Sequence, residues 1–291
     1  MEYFNRQYEL TIGNTRTGKG IVITNLQIRF DITRSADNKK GSNAGSIEVV
    51  NLHKDQLAIL ENKHIECTLK VGYVDIGIGQ IFSGNVTSVK TVQQGTDFIT
   101  QLIVGEGYTT INHSKISTKV PAGKTKGDVI DAIIQSIPGA SKGITAGANF
   151  NSPIVQGYVL QGTGKEVLDR FARENALQWR IQNGVIDITT PSQVQSNYKN
   201  TSVLLTPLTG LIESPYYTEV DNKKGTKEET SKEYGLSFKC VMNHTILCGR
   251  TVFIDVGGIT PISGYFRVEH IRYSGDYFDG DWTIECIGKR V

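Results

Sequence analysis

Alternation of apolar and polar positions dominates the first hundred or so residues. Tyr8 to Ile12, Ile21 to Ile32, Ile47 to Val50, Glu66 to Tyr73, Gln80 to Val92 and Phe98 to Val104 are rich in Val, Ile, Thr and aromatic residues. Gly and Asn punctuate these runs, as expected of half-buried strands joined by turns. Only His53 to Asn62 departs from the pattern, where Leu57 and Leu60 suit one short helical turn. About six strands and a short helix predict a small barrel or sandwich.

The period then changes. Thr125-Lys-Gly-Asp128 has the form of a capping box, and Ile130, Ile133, Ile134 and Ile137 follow at i, i+3, i+4 and i+7 up to Pro138-Gly139. This predicts an amphipathic helix on a small core. A second capping box, Thr163-Gly-Lys-Glu166, opens a helix carrying Val167, Leu168, Phe171, Ala172 and Leu177. Gln178 to Gln182, the turn Asn183-Gly184 and Val185 to Thr189 then read as a hairpin. Strand-like patterning returns in the last third, interrupted from Thr218 to Glu233 by Lys, Glu, Asp and Thr residues that predict a mobile loop.

The first and last thirds echo each other. Val86 lines up with Val268, Ser88-Val89 with His270-Ile271, Gly95 with Gly280 and Asp97-Phe98 with Asp281-Trp282, an offset that drifts by only about three residues. Asp37-Asn38-Lys39-Lys40-Gly41 recurs as Asp221-Asn222-Lys223-Lys224-Gly225, each time between two strand-like runs. The chain is therefore expected to be mainly β (α+β), with two similar β-barrel domains at 1–105 and 199–291 and a small α/β middle unit at 106–198 between them.

With 291 residues the chain can bury a full core. No apolar run approaches the roughly 18 to 20 residues of a membrane helix, and Met1-Glu-Tyr-Phe-Asn-Arg-Gln7 lacks the apolar core of a signal peptide. No membrane anchor is expected, and folding is expected in cytosol. The net charge of +2 comes from interspersed signs without a basic stripe, which argues against affinity for nucleic acid through phosphate neutralisation. Cys67, Cys240, Cys248 and Cys286 are widely spread and mostly flanked by strand formers, which suits reduced, buried thiols.

Four constellations could carry chemistry. Ala122-Gly-Lys-Thr125 and Gly162-Thr-Gly-Lys165 look like phosphate-loop tails, but the first lacks the leading Gly at Thr118 and the second is followed by Glu166; capping explains both. Cys240, His244 and Cys248, with Cys286 or His270, are the best metal candidates. Positions four apart along a strand lie about 13 Å apart, however, too far for one zinc ion unless the segment folds back. Asp276, Asp279 and Asp281 crowd one turn, where Asx hydrogen bonds account for them more simply than acid-base hydrolysis. Tyr216, Tyr217, Tyr273, Tyr277 and Trp282 could stack on sugars, or fill a core or an interface. No nucleophile elbow, zinc-protease or deaminase signature is present, so no enzyme and no cofactor are expected.

Several motifs in order and spacing resemble a known family. Gly264-Tyr-Phe-Arg-Val268 with Ile271, Tyr273, Gly275-Asp276 and Gly280-Asp-Trp282, Leu205-Thr-Pro-Leu-Thr-Gly-Leu-Ile-Glu-Ser-Pro215, Val71-Gly-Tyr73, Ile81-Phe-Ser-Gly84 and Leu168 to Trp179 are similar to the baseplate hub proteins of contractile-tailed bacteriophages, the late control D and Mu-like hub family. Tyr273 stands where the family usually carries His, and Phe266 where its usual Tyr-Arg pair begins; these departures are expected to alter only fine loop contacts. The chain ends at Val291 soon after the last motif, which is expected of a contractile rather than a long flexible tail.

The resemblance implies a structural virion protein of the tail baseplate, assembled in the host cytoplasm. It implies a homotrimer whose two tube-protein-like barrels per chain make a ring of six, joining the hexameric tail tube protein to the trimeric central spike protein. The tape measure and the baseplate wedge or sheath-initiator proteins are further candidate partners. DNA would pass through the channel without specific binding. Interface residues are expected at Asp37, Asn38, Lys39, Lys40, Asp221, Lys223, Lys224, Asp276, Asp279 and Asp281. A hub of a phage-derived contractile injection device, a tail-associated cell-wall hydrolase and a carbohydrate-binding module are the alternatives.

Overall fold

The computed structural model describes residues 5–14, 18–36, 44–60, 65–106, 111, 114–146, 149–182, 184–190, 198–220, 233–258 and 261–291. The first part of the chain forms β1 (Arg6–Asn14), β2 (Gly20–Ile23), β3 (Ile28–Ser35), β4 (Ala44–Val50), α1 (Lys54–Leu60), β5 (Ile65–Tyr73), β6 (Gly77–Gln94) and β7 (Asp97–Gly105). The middle forms β8 (Lys115–Val120), α2 (Lys126–Gln135), β9 (Ser141–Ala146), β10 (Tyr158–Thr163), α3 (Gly164–Glu174), β11 (Gln178–Gln182) and β12 (Val185–Thr189). The last part forms α4 (Tyr198–Thr201), β13 (Val203–Leu205), β14 (Tyr216–Val220), β15 (Glu233–Val241), β16 (Thr251–Val256), β17 (Ile262–Asp276) and β18 (Trp282–Arg290).

Ile21 to Ile32, expected as one strand, is two. The buried side moves from odd positions (Ile23) to even ones (Ile28, Phe30, Ile32), so a continuous strand would turn half of these residues to water. A bend between β2 and β3 resolves the conflict, and its Leu26 carbonyl accepts the Tyr8 hydroxyl at 2.5 Å. The loop expected from Thr218 to Glu233 is shorter at both ends, because Thr218 to Val220 belong to β14 and Glu233 opens β15; residues 221–232 lie outside the described residues.

The echo in sequence is a repeat in topology. The first part orders its strands β3-β4-β7-β6-β5-β1, and the last part β14-β15-β18-β17, with β16 pairing β17 and β13 pairing β16. Both long hairpins carry a register shift at the same place, between Val86 and Ser88 in β6 and between Val268 and His270 in β17. The outermost pair differs, since β1 runs antiparallel to β5 whereas β13 runs parallel to β16. Antiparallel pairing of β17 with β3 joins the two repeats into one thirteen-stranded sheet. One core runs through both, from Tyr8 and Phe82 to Phe238 and Trp282.

The middle packs a core of its own around Ile130, Ile133, Leu160, Phe171, Trp179 and Ile188. Both capping boxes form. Thr125 Oγ1 accepts the Asp128 amide at 3.1 Å while the Asp128 carboxylate accepts the Thr125 amide at 2.8 Å, and Thr163 and Glu166 do the same at 3.3 and 2.8 Å. Each satisfies helix-end donors that would otherwise lack partners. Gln182 opposes Val185 across the expected hairpin connection; Asn183 lies outside the described residues.

Candidate functional site

The seam between β17 and β3 is the most heavily built contact between the repeats. Register runs from His270 opposite Ser35 to Asp276 opposite Arg29. On its buried side, Phe30 meets Trp282 edge to face with ring centres 5.3 Å apart, and the Tyr273 hydroxyl donates to the Ile246 carbonyl at 2.8 Å. Gly275 makes the stack possible, because a Cβ there would lie 2.3 Å from the Phe30 ring. On the exposed side, the Arg272 guanidinium grips Asp31 at 2.6 and 3.1 Å.

The acidic turn after β17 belongs to this seam. Asp276 accepts from Arg29 Nε at 2.8 Å and from the amides of Phe278 and Asp279 at 3.0 and 3.3 Å. Arg6 donates to the carbonyls of Asp276 and Gly280 at 2.5 and 2.7 Å. Burial alone would raise the Asp276 pKa; Arg29, the two amides and Gln27 together outweigh it and hold the carboxyl below the usual range. That is the wrong direction for a general acid. Asp279 and Asp281 are exposed, Asp279 closing on the Gly280 amide at 2.8 Å.

Asp37, Asn38, Lys39, Lys40, Asp221, Lys223 and Lys224 lie outside the described residues. The segments containing them connect β3 to β4 and β14 to β15, the equivalent pairs in the two repeats. The five aromatics that could stack on sugars or fill a core or an interface are divided: Tyr273 and Trp282 are in the core, Tyr277 stacks edge-on against Tyr8 at 4.7 Å, and Tyr216 and Tyr217 are exposed. No sugar platform forms from this set.

All four cysteines are buried free thiols. Burial pushes Cys67, Cys240 and Cys248 up to about 12 and Cys286 well above its ordinary value. His244 is half-buried against β6, where a Cβ on Gly79 would meet its ring at 2.0 Å. Among the described residues no group of three or more His, Cys, Asp or Glu could hold a metal ion.

Two features escaped the sequence reading. One is a ladder of alternating charge across the sheet: Glu213 to Lys239 at 3.6 Å, Lys239 to Glu285 at 3.7 Å, Glu285 to Arg272 at 3.7 Å and Arg272 to Asp31 at 2.6 Å. Its links come from five different segments and the last joins Arg272 to Asp31 across most of the chain, so no local pattern announces it. The other is a pair of bare strand edges. Beyond Asn85, β6 pairs only with β7, and β14 pairs only with β15 among the described residues. From Thr87 to Phe98 both faces of the hairpin are exposed, and Val92, Phe98, Tyr216 and Tyr217 are all about half exposed.

No protein-family model and no curated protein matches the chain. Solved structures do. The 43 kDa tail protein of prophage MuSo2 from Shewanella oneidensis superposes with a TM-score of 0.64 at 14% identity, covering 98% of each chain. A tail protein from Neisseria meningitidis gives 0.61 at 12%, covering 98% of this chain and 97% of that one. An E. coli component of the type VI secretion system, described as structurally similar to the T4 tail proteins gp27 and gp5, gives 0.58 at 10%, covering 91% and 73%. At such identities the likeness is one of fold: the chain has a mainly β, phage-tail hub-like fold.

Proposed function

We propose that this protein is a structural component of a virion tail, a trimeric baseplate hub whose repeats form a pseudo-sixfold ring between the hexameric tail tube and the trimeric central spike. In this reading residues 1–105 and 199–291 are the two tube-like barrels and 106–198 is a unit inserted between them. The single observation that carries it is the twice-used strand order, with the repeats joined edge to edge by β17 and β3. Three chains of two such units supply six similar faces on one side and threefold symmetry on the other, which a tube-to-spike adaptor needs.

The work of such a hub is templating and force transmission, with no bond made or broken. The charge ladder from Glu213 to Asp31 suits a wet channel wall, because alternating signs present no cationic track that would hold DNA phosphates. Tape measure and wedge or sheath-initiator proteins are candidate partners around the ring, and assembly takes place in the host cytoplasm. Likeness to a type VI component favours one second reading, the hub of a phage-derived contractile injection device, built on the same ring. Capsid and DNA-packaging genes beside the coding sequence would decide for the virion.

The test is the mass of the purified protein in solution, with negative-stain imaging of the peak. A mass of three chains and a ring of near-sixfold outline is the expected result. A particle that stays a single chain, alone and when mixed with tube and spike proteins, would overturn the reading.

A further inference from the structure

The internal seam contains the plan of a second seam that one chain cannot complete. Matching bulge to bulge makes Val86 and Ser88 of β6 the equivalents of Val268 and His270 of β17. Carrying the equivalence through the paired strands makes Ser46 the counterpart of Ser237, since Ile103 and Ile287 oppose them at matching places. Asp31 then corresponds to Tyr216, because these two oppose Ser46 and Ser237 in turn. In the internal seam, β17 receives β3 along the side that β6 leaves bare. The strand that should fill the bare side is the counterpart of β3, namely β14.

β14 of the same chain cannot reach it. The order β14-β15-β18-β17-β3-β4-β7-β6 puts seven strand spacings between them, about 34 Å along the sheet. We propose that β14 of a second copy of this chain pairs antiparallel with the outer half of β6, with Ser88 opposite Val220, Lys90 opposite Thr218, Thr91 opposite Tyr217 and Val92 opposite Tyr216. This deepens the ring reading and rests on it. It specifies which edges meet and in which register.

The surfaces support the match. The internal seam buries Ile271, Tyr273 and Trp282. At the equivalent places Val89 is 37% exposed and Phe98 49% exposed, as expected of a seam awaiting its partner strand. Tyr216 at 61% and Tyr217 at 52% are the exposed aromatics on the opposite edge. Bare apolar edges of this kind invite pairing with another chain. The ion pair of Arg272 with Asp31 has Lys90 and Tyr216 as its counterparts, which exchanges a charge pair for a cation facing an aromatic ring. The two joints are thus alike in backbone and different in side chains, so an external edge would not displace the internal one.

Cysteine pairs in the full-length chain test the register. Directly opposed residues in an antiparallel pair have Cα atoms about 4.5 to 5.5 Å apart, within disulfide range, and a two-residue slip takes them outside it. The four native thiols are buried and do not compete. Under mild oxidation, V92C with Y216C is expected to give a ladder of two- and three-chain species at least about tenfold faster than V92C with T218C. If the protein forms three-chain particles but V92C with Y216C stays unlinked, or V92C with T218C links faster, this register is overturned and the ring reading stands. If oxidation gives no linked species and no particle larger than one chain forms, both are overturned.

Discussion

Arg29 and Asp276 meet at 2.8 Å although 247 positions separate them, and with Arg6 they clamp the tip of the last hairpin onto the first repeat. Asp276 does more than pair with a half-exposed arginine, because it also caps two amides of its own turn. Asp276→Ala should therefore cost about 1.5–3 kcal/mol, the range for hydrogen bonds to a charged group. Arg29→Ala should cost less than about 1 kcal/mol, as for an exposed pair. Urea unfolding of both variants at pH 7 checks the order. Because the folded Asp276 pKa lies below its unfolded value of about 3.9, its contribution is present above that pH and lost as pH falls through the folded pKa. Wild type and Asp276→Asn should thus converge in stability as pH falls through the folded Asp276 pKa.

Gly275 gives a steric prediction. Its substitution by Ala would bring a Cβ to 2.3 Å from the Phe30 ring and 2.7 Å from the Trp282 ring, so one ring must leave its place. A loss of about 1–3 kcal/mol is expected, as for other overpacked cores, with a shift in tryptophan fluorescence. Adding Phe30→Leu to Gly275→Ala should recover part of the loss, which a double-mutant cycle would measure.

Local signals were legible in the sequence and long-range ones were not. Thr125 with Asp128 and Thr163 with Glu166 lie within one turn, and each box is found where the residue types put it. The repeat was readable because Val86 and Val268 sit beside the same bulge. The pairing of β17 with β3 was not, because strand edges recognise each other through backbone groups that every residue carries. For the same reason Val89 and Val92 look like core positions, while their exposure follows from which strands arrive beside them. The acidic turn was legible as a turn, but not the reach of Arg6 and Arg29 toward it.

The thiols give a chemical prediction. With Cys67, Cys240 and Cys248 pushed up to about 12 by burial, and Cys286 raised as well, little thiolate exists at pH 8 and none is accessible. Native protein should react with an aromatic disulfide reagent about a thousandfold or more slowly than free cysteine, since only the thiolate attacks. In guanidinium chloride all four should react at once. A fast thiol in the native state would reveal a local opening of the core containing it.

The middle unit rests on the outer sheet through Arg180, and two substitutions should break that contact in different ways. Arg180 forks onto Asp187 at 2.8 and 2.9 Å, and Asp187 also accepts the Ile144 amide at 2.6 Å, so the pair holds β11, β12 and β9 together. The same guanidinium lies against Gly249, where φ is +75° and a Cβ would stand 1.7 Å from Nη1. Arg180→Ala leaves a nearly buried carboxylate without its cation, a loss of about 3 kcal/mol or more that should fall mainly on the middle unit. Gly249→Ala keeps both members of the pair in the chain but strains the backbone by about 1–2 kcal/mol and forces the guanidinium to shift from its place against Gly249. Calorimetry should then show a middle-unit transition at lower temperature in Arg180→Ala. Hydrogen exchange in Gly249→Ala should accelerate around 246–252 while β11 and β12 keep their protection. Equal acceleration on both sides in both variants would mean that the contact acts as one cooperative unit and that the middle core does not stand alone.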